Sequence, residues 1–384
     1  MCRLSPYFWK PCIIVREILN YQFMKINKLF IAALVLASAA ITSCCGSHSF
    51  EDSRQEMELI KVNFNSPNPK ESLSWSDVVS SVKYINLSEG QNATIGNISS
   101  VRVTDNRIYV QDNPNKQLLV YDLDGNYLMK IQRQGRGPGE YVSLTQFDVN
   151  ETTGEITIMD LPSRKLLVYS DSGEFVRSIS FVENDDVPRD FALLENGDYV
   201  FYSPDYNKGT DHYGIWQGDS LGVEVKRIYE IPEKYRFSAG IFPKYFHHLG
   251  NKVYVRGREF DGTLYHIGSD TYTTPYKLDV DIRLSGALKR TEQRTSQIKE
   301  DFYIIFQYLE TDKWVYIQLY DMETPVVVFY NKAEKKPYYI TEDNLMLEDM
   351  PKAGAYMTAT DDAFVGVLPN TSGEGYTISL SYVK

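Results

Sequence analysis

The chain has 384 residues, 43% of them apolar and 24% charged, enough apolar material for a core and too much for a disordered polymer. Its net charge is −11, and without the first 44 residues, which carry +4, it falls to −15. So acidic a body repels phosphate backbones, which excludes general nucleic-acid binding. All four cysteines (Cys2, Cys12, Cys44 and Cys45) precede residue 46, so the rest of the chain has no disulfide and no thiolate metal site.

Lys25 and Lys28 precede a 12-residue apolar run, Leu29 to Ala40. A basic start, a short apolar run and small residues describe an export signal, and the run is shorter than the ~20 residues a membrane-spanning helix needs. The following Ile41-Thr42-Ser43-Cys44 resembles the lipobox of bacterial lipoproteins. That resemblance implies acylation of the Cys44 thiol, cleavage before it, and attachment to a membrane of the cell envelope, the outer membrane being the expected one. Residues 1–23 precede a signal that is already complete from Met24, so they are expected to be an upstream extension. Residues 24–43 then form the signal, 44–75 a tether and 76–384 the folded body.

The folded body repeats. Leu118-Leu119-Val120-Tyr121-Asp122-Leu123-Asp124-Gly125 aligns without gaps on Leu166-Leu167-Val168-Tyr169-Ser170-Asp171-Ser172-Gly173, an offset of 48. Upstream, Ile108 to Asp112 aligns on Ile156 to Asp160 at the same offset. A repeat of this length built from short strands and turns has the size of a propeller blade. Weaker copies place innermost strands at 98–104, 146–150, 190–195, 244–249, 302–309 and 355–360. The sixth copy ends with three strands, and a spare strand lies upstream at Val82 to Leu87. Pairing that strand with the last blade closes the ring and removes its exposed edges. The predicted fold is therefore all-β: a six-bladed β-propeller of four-stranded antiparallel blades. Its 29 Tyr and 18 Phe fit strand packing, with a few stacking platforms for sugar or peptide as the sharper reading. Pro275 and Pro337 fall in expected fourth strands, where a missing N–H is tolerated.

The stretch Leu118 to Tyr141 contains Val-Tyr-Asp-Leu-Asp-Gly-Asn and then Arg133-Gln134-Gly135-Arg136-Gly137-Pro138-Gly139-Glu140-Tyr141. It resembles the NHL-type repeat and, more closely, the six-bladed propeller lipoproteins of Gram-negative gut anaerobes. The resemblance implies fold and export, not an activity, because propellers host many functions.

In such a ring, loops between first and second and between third and fourth strands share one face and here are short. The other face carries longer segments at 132–145, 181–189, 204–211, 231–243, 281–301 and 341–353, and long loops on a rigid scaffold usually carry binding. The expected site is there, with Arg133, Arg136, Arg164, Arg256 and Arg258 as candidate ligand-binding residues, since a guanidinium forks onto planar anions. The competing reading of the glycine-rich loop is a tight crossing between blades. That loop has no helix start and no Lys-Ser/Thr, so it is not a phosphate cradle. Together with 112–116, 160–165 and 256–262 on the same face, the longer segments sum to −2, so no basic funnel is expected. Segments 281–301 and 341–353 read as partly helical.

Adjacent His247 and His248 point to opposite sides of a strand, and no zinc spacing occurs among the five histidines. Asp122, Asp124 and Asn126 lack the later Glu of a calcium loop. No metal or cofactor is therefore expected, and no Gly-x-Ser-x-Gly or His-Glu-x-x-His motif is present. Three readings follow: a tethered module that binds a glycan, a peptide or an envelope protein; an extracellular or periplasmic hydrolase or lyase acting on glycans or peptides; or a structural subunit of an envelope complex.

Overall fold

The computed structural model describes residues 57–63, 72–88, 90, 93–181, 188–203, 213–231, 245–257, 262–281, 304–320, 325–340, 355–370 and 375–384. All six sheets lie in Asp52–Lys384, the second of two compact units. The first strands in chain order are β1 (Glu58–Asn63) and, after a one-turn helix α1 (Trp75–Val78), β2 (Val79–Asn86). Blade one contains β3 (Ile98–Val103), β4 (Ile108–Asp112), β5 (Gln117–Tyr121) and β6 (Tyr127–Ile131). Blade two contains β7 (Gln146–Val149), β8 (Ile156–Asp160), β9 (Lys165–Tyr169) and β10 (Phe175–Ser180). Blade three contains β11 (Asp190–Leu193), β12 (Tyr199–Tyr202), β13 (Tyr213–Gly218) and β14 (Glu224–Glu230). Blade four contains β15 (His247–Leu249), β16 (Lys252–Arg256), β17 (Thr263–Ile267) and β18 (Tyr272–Asp281). Blade five contains β19 (Ile304–Glu310), β20 (Trp314–Tyr320), β21 (Pro325–Asn331) and β22 (Lys336–Ile340), and blade six β23 (Ala355–Ala359), β24 (Ala363–Pro369) and β25 (Tyr376–Val383).

The protein is an all-β, six-bladed propeller, and its ring closes as the spare strand required. β2 pairs antiparallel with β25, register Val82↔Ser381 to Asn86↔Thr377, and becomes the outer strand of blade six. The closure is fastened to blade one at Gly125, whose N–H donates to the Asp122 carbonyl and whose carbonyl accepts from Ser88 N. Gly125 has φ +84°, and a Cβ there would lie 2.2 Å from the Asn86 carbonyl oxygen, so only glycine fits.

The core is six apolar layers, one between each pair of neighbouring blades. Tyr109, Leu118 and Val120 of blade one pack with Phe147, Ile156 and Leu167 of blade two. Met159 and Ile179 of blade two meet Phe191 and Phe201 of blade three. The ring ends where Ile85 and Leu380 meet Val101 and Val110. Middle strands are thus covered on both faces, which explains why β4, β5 and β8 are buried at every position. It also accounts for much of the tyrosine content: Tyr121, Tyr169, Tyr199, Tyr202, Tyr254 and Tyr330 are wholly enclosed.

Two stretches depart from the sequence reading. Residues 58–63, expected in the tether, form β1, a fifth strand added in parallel to β18 with register Glu58↔Tyr276 to Asn63↔Asp281. Its Ile60 and Val62 are buried in the layer between blades four and five. The added strand begins opposite Tyr276, one residue past Pro275, so the proline stays outside the added ladder. Farther on, Ser72 bridges Tyr339 at the edge of blade five. β1 therefore lies on the outer edge of blade four and Ser72 at the edge of blade five, ahead of the strand that closes blade six. Within the segments expected to be partly helical, residues 282–301 and 341–353 lie outside the described residues.

Candidate functional site

The innermost strands contribute charged side chains to one place. Arg102 on β3 sets its Nε 3.3 Å from Asp148 Oδ1 on β7 and its Nη2 2.6 Å from Glu151 Oε1, in the turn after β7. The Leu193 N–H on β11 donates to Asp148 Oδ2 at 2.7 Å. His248 on β15 stands with Nε2 2.8 Å from the same oxygen. Four blades therefore meet at one carboxylate. A carboxylate only accepts, so Nε2 of His248 carries the proton in this bond. The adjacent His247 diverges, with Nδ1 3.3 Å from Thr358 Oγ1 of blade six.

Two adjoining cavities open beside this constellation. One, of about 190 Å³, is lined by Arg102, Glu151, Glu195, His248 and Asn251 among others. The other, of about 350 Å³, lies between blades one and two and includes Asp105, Asn106, Arg107 and Asp171 in its lining. Val149, Asn150, Glu151 and Thr152 belong to both walls, so the two cavities lie side by side and are together called the cleft. Burial is the first cause that holds the Glu151 carboxyl above its ordinary range; the Arg102 guanidinium opposes it, and the negative charges of Asp105, Asp148 and Asp361 add to it.

This cleft belongs to the short-turn face, opposite to the face favoured by loop length. Glu151, Glu195 and Asn251 all lie in turns between first and second strands. Along the short turns the described residues include fifteen acids and four bases, against −2 for the long-loop segments. Most of the negative charge of the body is therefore gathered on the side where the cleft opens.

The candidate arginines that are described have separate surroundings. Arg133 donates from Nη2 to the Gly173 carbonyl and pairs with Glu174, both at 3.1 Å. Arg256 is buried, with its guanidinium carbon 5.2 Å from the centre of the Tyr245 ring. Arg164 is half-buried at φ +51° in the turn after β8, where its carbonyl accepts from Phe181 N. Arg136 is exposed, and Arg258 lies outside the described residues. The glycine-rich loop acts as a crossing between blades. Glu140 Oε2 accepts from Gly137 N at 2.8 Å, Tyr169 Oη donates to the Gly139 carbonyl at 3.0 Å, and Lys165 Nζ donates to the Glu140 carbonyl at 2.8 Å. The Asp122 oxygens accept the N–H groups of Asp124 and Asn126 and the Asn126 side-chain amide, so they cap their own hairpin. Among the described residues no group of three or more His, Cys, Asp or Glu is arranged to hold a metal ion.

A second charged cluster is packed between blades four and five. Glu310 is fully buried, with His266 Nε2 at 2.6 Å, Lys332 Nζ at 2.6 Å and the Tyr308 hydroxyl as partners. Burial pushes this carboxyl up, but the hydrogen bond and charge of His266 and the Lys332 ammonium outweigh it and hold it below its usual range. Neither of the two cavities is lined by these residues, and the pairing satisfies charges that cannot remain alone in a core. Among the exposed large apolar residues, Leu221, Val223 and Val225 alternate along the last turn and outer strand of blade three, as Met57 and Leu59 do around the start of β1.

An all-β ring with a polar cleft at one mouth defines a six-bladed propeller with a candidate binding site. The chain belongs to the family described as Domain of unknown function (DUF4934), which matches residues 58–375 and so begins at β1. None of the curated proteins matches it. Among solved structures it is similar to a Bacteroides fragilis protein described as exported, at 16% identity and a TM-score of 0.68, covering 85% of this chain and 99% of that one. It is also similar to a DUF4221 member from Bacteroides vulgatus, at 10% identity and a TM-score of 0.52, covering 80% of this chain and 97% of that one. Both likenesses concern the fold. Among the described residues no helix is long and apolar enough to cross a membrane.

Proposed function

We propose that this protein is an exported propeller, held to the envelope membrane through Cys44, that binds a polar ligand in the cleft at the short-turn mouth of its channel. The observation that carries this reading is the convergence of Arg102, Asp148, Glu151 and His248, from three blades, beside a cavity. Buried charges are costly unless paired, and here Arg102, Glu151 and His248 line a space that a ligand can enter. The lipobox supports the anchor. Cys44→Ala is expected to abolish palmitate labelling and release the protein from the membrane. The site reading is tested by hydroxyl-radical footprinting of the full chain with a panel of oligosaccharides and peptides. Protection of residues 102–107, 148–154 and 193–195 is expected, and protection confined to 132–145 would defeat it.

A second reading, an enzyme acting on glycans or peptides, is supported by Glu151, whose raised proton affinity beside a cavity suits a general acid. Under that reading Glu151→Gln abolishes turnover of a substrate that still binds. Under the binding reading no member of the panel is turned over.

A further inference from the structure

We propose that the cleft takes a cationic peptide segment, with a Lys or Arg side chain or an amino terminus at Glu151 and a backbone carbonyl at Arg102 Nη1. The inference rests on the site reading above and names the ligand class for it.

Three features of the cleft lead there. First, Arg102 is buried, with its side chain 8% exposed, and lines the cavity; its Nε faces Asp148 and its Nη2 holds Glu151. Among the described residues its Nη1 has no partner. A guanidinium nitrogen that no protein group holds can take an acceptor from a ligand in the cavity that Arg102 lines. A neutral carbonyl fits better than a carboxylate, because Asp148, Glu151 and Glu195 already surround the spot with negative charge.

Second, the positive charge available locally does not balance the acids. One guanidinium is shared between Asp148 and Glu151, while Asp105, Asp171 and Glu195 line the same cleft with Arg107 as the other guanidinium. Arg107 is turned to the Asp171 carbonyl, with Nη1 at 2.9 Å. The surplus is felt at Glu151, 44% exposed at the rim, where burial and neighbouring carboxylates resist ionisation. An incoming ammonium or guanidinium relieves that repulsion, whereas an anion increases it.

Third, the shape suits an extended chain. The two cavities flank the shared wall Val149 to Thr152, one reaching Glu195 of blade three and the other Asp105 between blades one and two, with Glu151 in both linings. The walls alternate carboxylates with amides and hydroxyls: Asn106, Asn150, Asn251, Thr104, Thr152 and Thr153. Among the described lining residues no aromatic ring is exposed, because Tyr109, which contributes to one wall, is buried. A flat sugar face therefore finds no stacking platform, while peptide groups find donors and acceptors in succession.

Isothermal titration of the full chain in detergent with tri-lysine tests this, with tri-serine, tri-glutamate and chitotriose as controls. Tri-lysine is expected to bind and the other three to bind at least about tenfold more weakly, with affinity falling as salt rises. Glu151→Gln is expected to weaken tri-lysine about tenfold and Glu195→Gln severalfold, while Glu174→Gln, outside the cleft, leaves it unchanged. Affinity for tri-lysine is also expected to fall on acidification as Glu151 takes up its proton. Arg102→Lys keeps the charge and removes the fork, so it should weaken tri-lysine too; the two Glu variants decide the matter if it fails to fold. Equal binding of tri-lysine and tri-serine, or tri-lysine affinity untouched by Glu151→Gln, overturns the inference. Chitotriose binding that is lost in Glu151→Gln, with no tri-lysine binding, overturns the ligand class and leaves the cleft as the site. Tri-lysine binding unaffected by both Glu variants, with protection confined to 132–145, overturns the site reading itself.

Discussion

His248 of blade four reaches Asp148 of blade two, Nε2 to Oδ2 at 2.8 Å, and thereby ties together strands that are 100 residues apart in sequence. Asp148 is 2% exposed and also accepts the Leu193 N–H and faces Arg102. Removing its charge leaves the Arg102 guanidinium with one fewer partner in a buried position. Asp148→Asn is therefore expected to cost about 3 kcal/mol, in the range for breaking a buried pair. Chemical denaturation of the two proteins measures it, and a loss under about 1 kcal/mol would show that solvent already screens the cluster.

The outcome at Glu151 runs the other way. Its carboxyl has its proton affinity raised in the folded state, so ionisation at neutral pH works against folding. A group shifted upward contributes stability at low pH and loses it as pH rises through its folded value. Glu151→Gln removes that loss while an amide oxygen remains for Arg102. Thermal melts at pH 7 are expected to show an unchanged or higher Tm for the variant even as ligand affinity drops. A lower Tm would make Glu151 a structural brace.

The strand in the stretch read as a tether gives a sharper test. Ile60 of β1 is wholly buried against blades four and five. Ile60→Ala is expected to destabilise the protein by about 3 kcal/mol, as for a large core residue truncated without collapse. A passive linker would tolerate the change, so a difference below about 0.5 kcal/mol would argue that β1 is dispensable.

Much of this architecture was legible because a repeat multiplies its own signal. The match of Leu118 to Gly125 with Leu166 to Gly173 fixed two blades, and the count of strands then required the partner that β2 supplies at β25. β1 left no such trace, since a parallel strand across more than 200 residues is set by an edge that no local pattern reveals. Arg133 was attractive as an arginine in a glycine-rich loop, yet it is spent on Gly173 and Glu174 of the next blade. The better signal lay in charged or titratable residues inside the buried innermost strands. Arg102, Asp148 and the His247-His248 pair occupy such positions, and a charge there must meet another across the channel.

The glycine-rich loop separates bracing from binding. Gly139 has φ +70°, and a Cβ would fall 2.7 Å from the Phe175 ring. Gly139→Ala is expected to cost about 1–3 kcal/mol from backbone strain and this clash. Arg136, exposed on the same loop, is expected to tolerate Lys within about 0.5 kcal/mol. Equal and small effects at both positions, measured by urea unfolding, would mean that the loop does not hold the blades together.

The buried Glu310 predicts how the fold meets acid. Its carboxyl is held below the ordinary range because His266 and Lys332 outweigh the effect of burial. A carboxyl lowered in the folded state contributes stability above its unfolded value, and that contribution is lost as pH falls through the folded value. Lys332→Met removes one of the two cations, so burial is less fully opposed and the folded value rises. The variant should be less stable than the parent at pH 7 by about 3 kcal/mol. Its remaining acid sensitivity should also begin at higher pH, because Glu310 now takes up a proton sooner. Tm recorded every half unit between about pH 3 and pH 7 resolves both effects, against the ordinary Glu value of ~4.3. Superimposable Tm profiles for parent and variant would show that Lys332 does not govern the charge of Glu310, and that His266 and the Tyr308 hydroxyl hold the carboxylate by themselves.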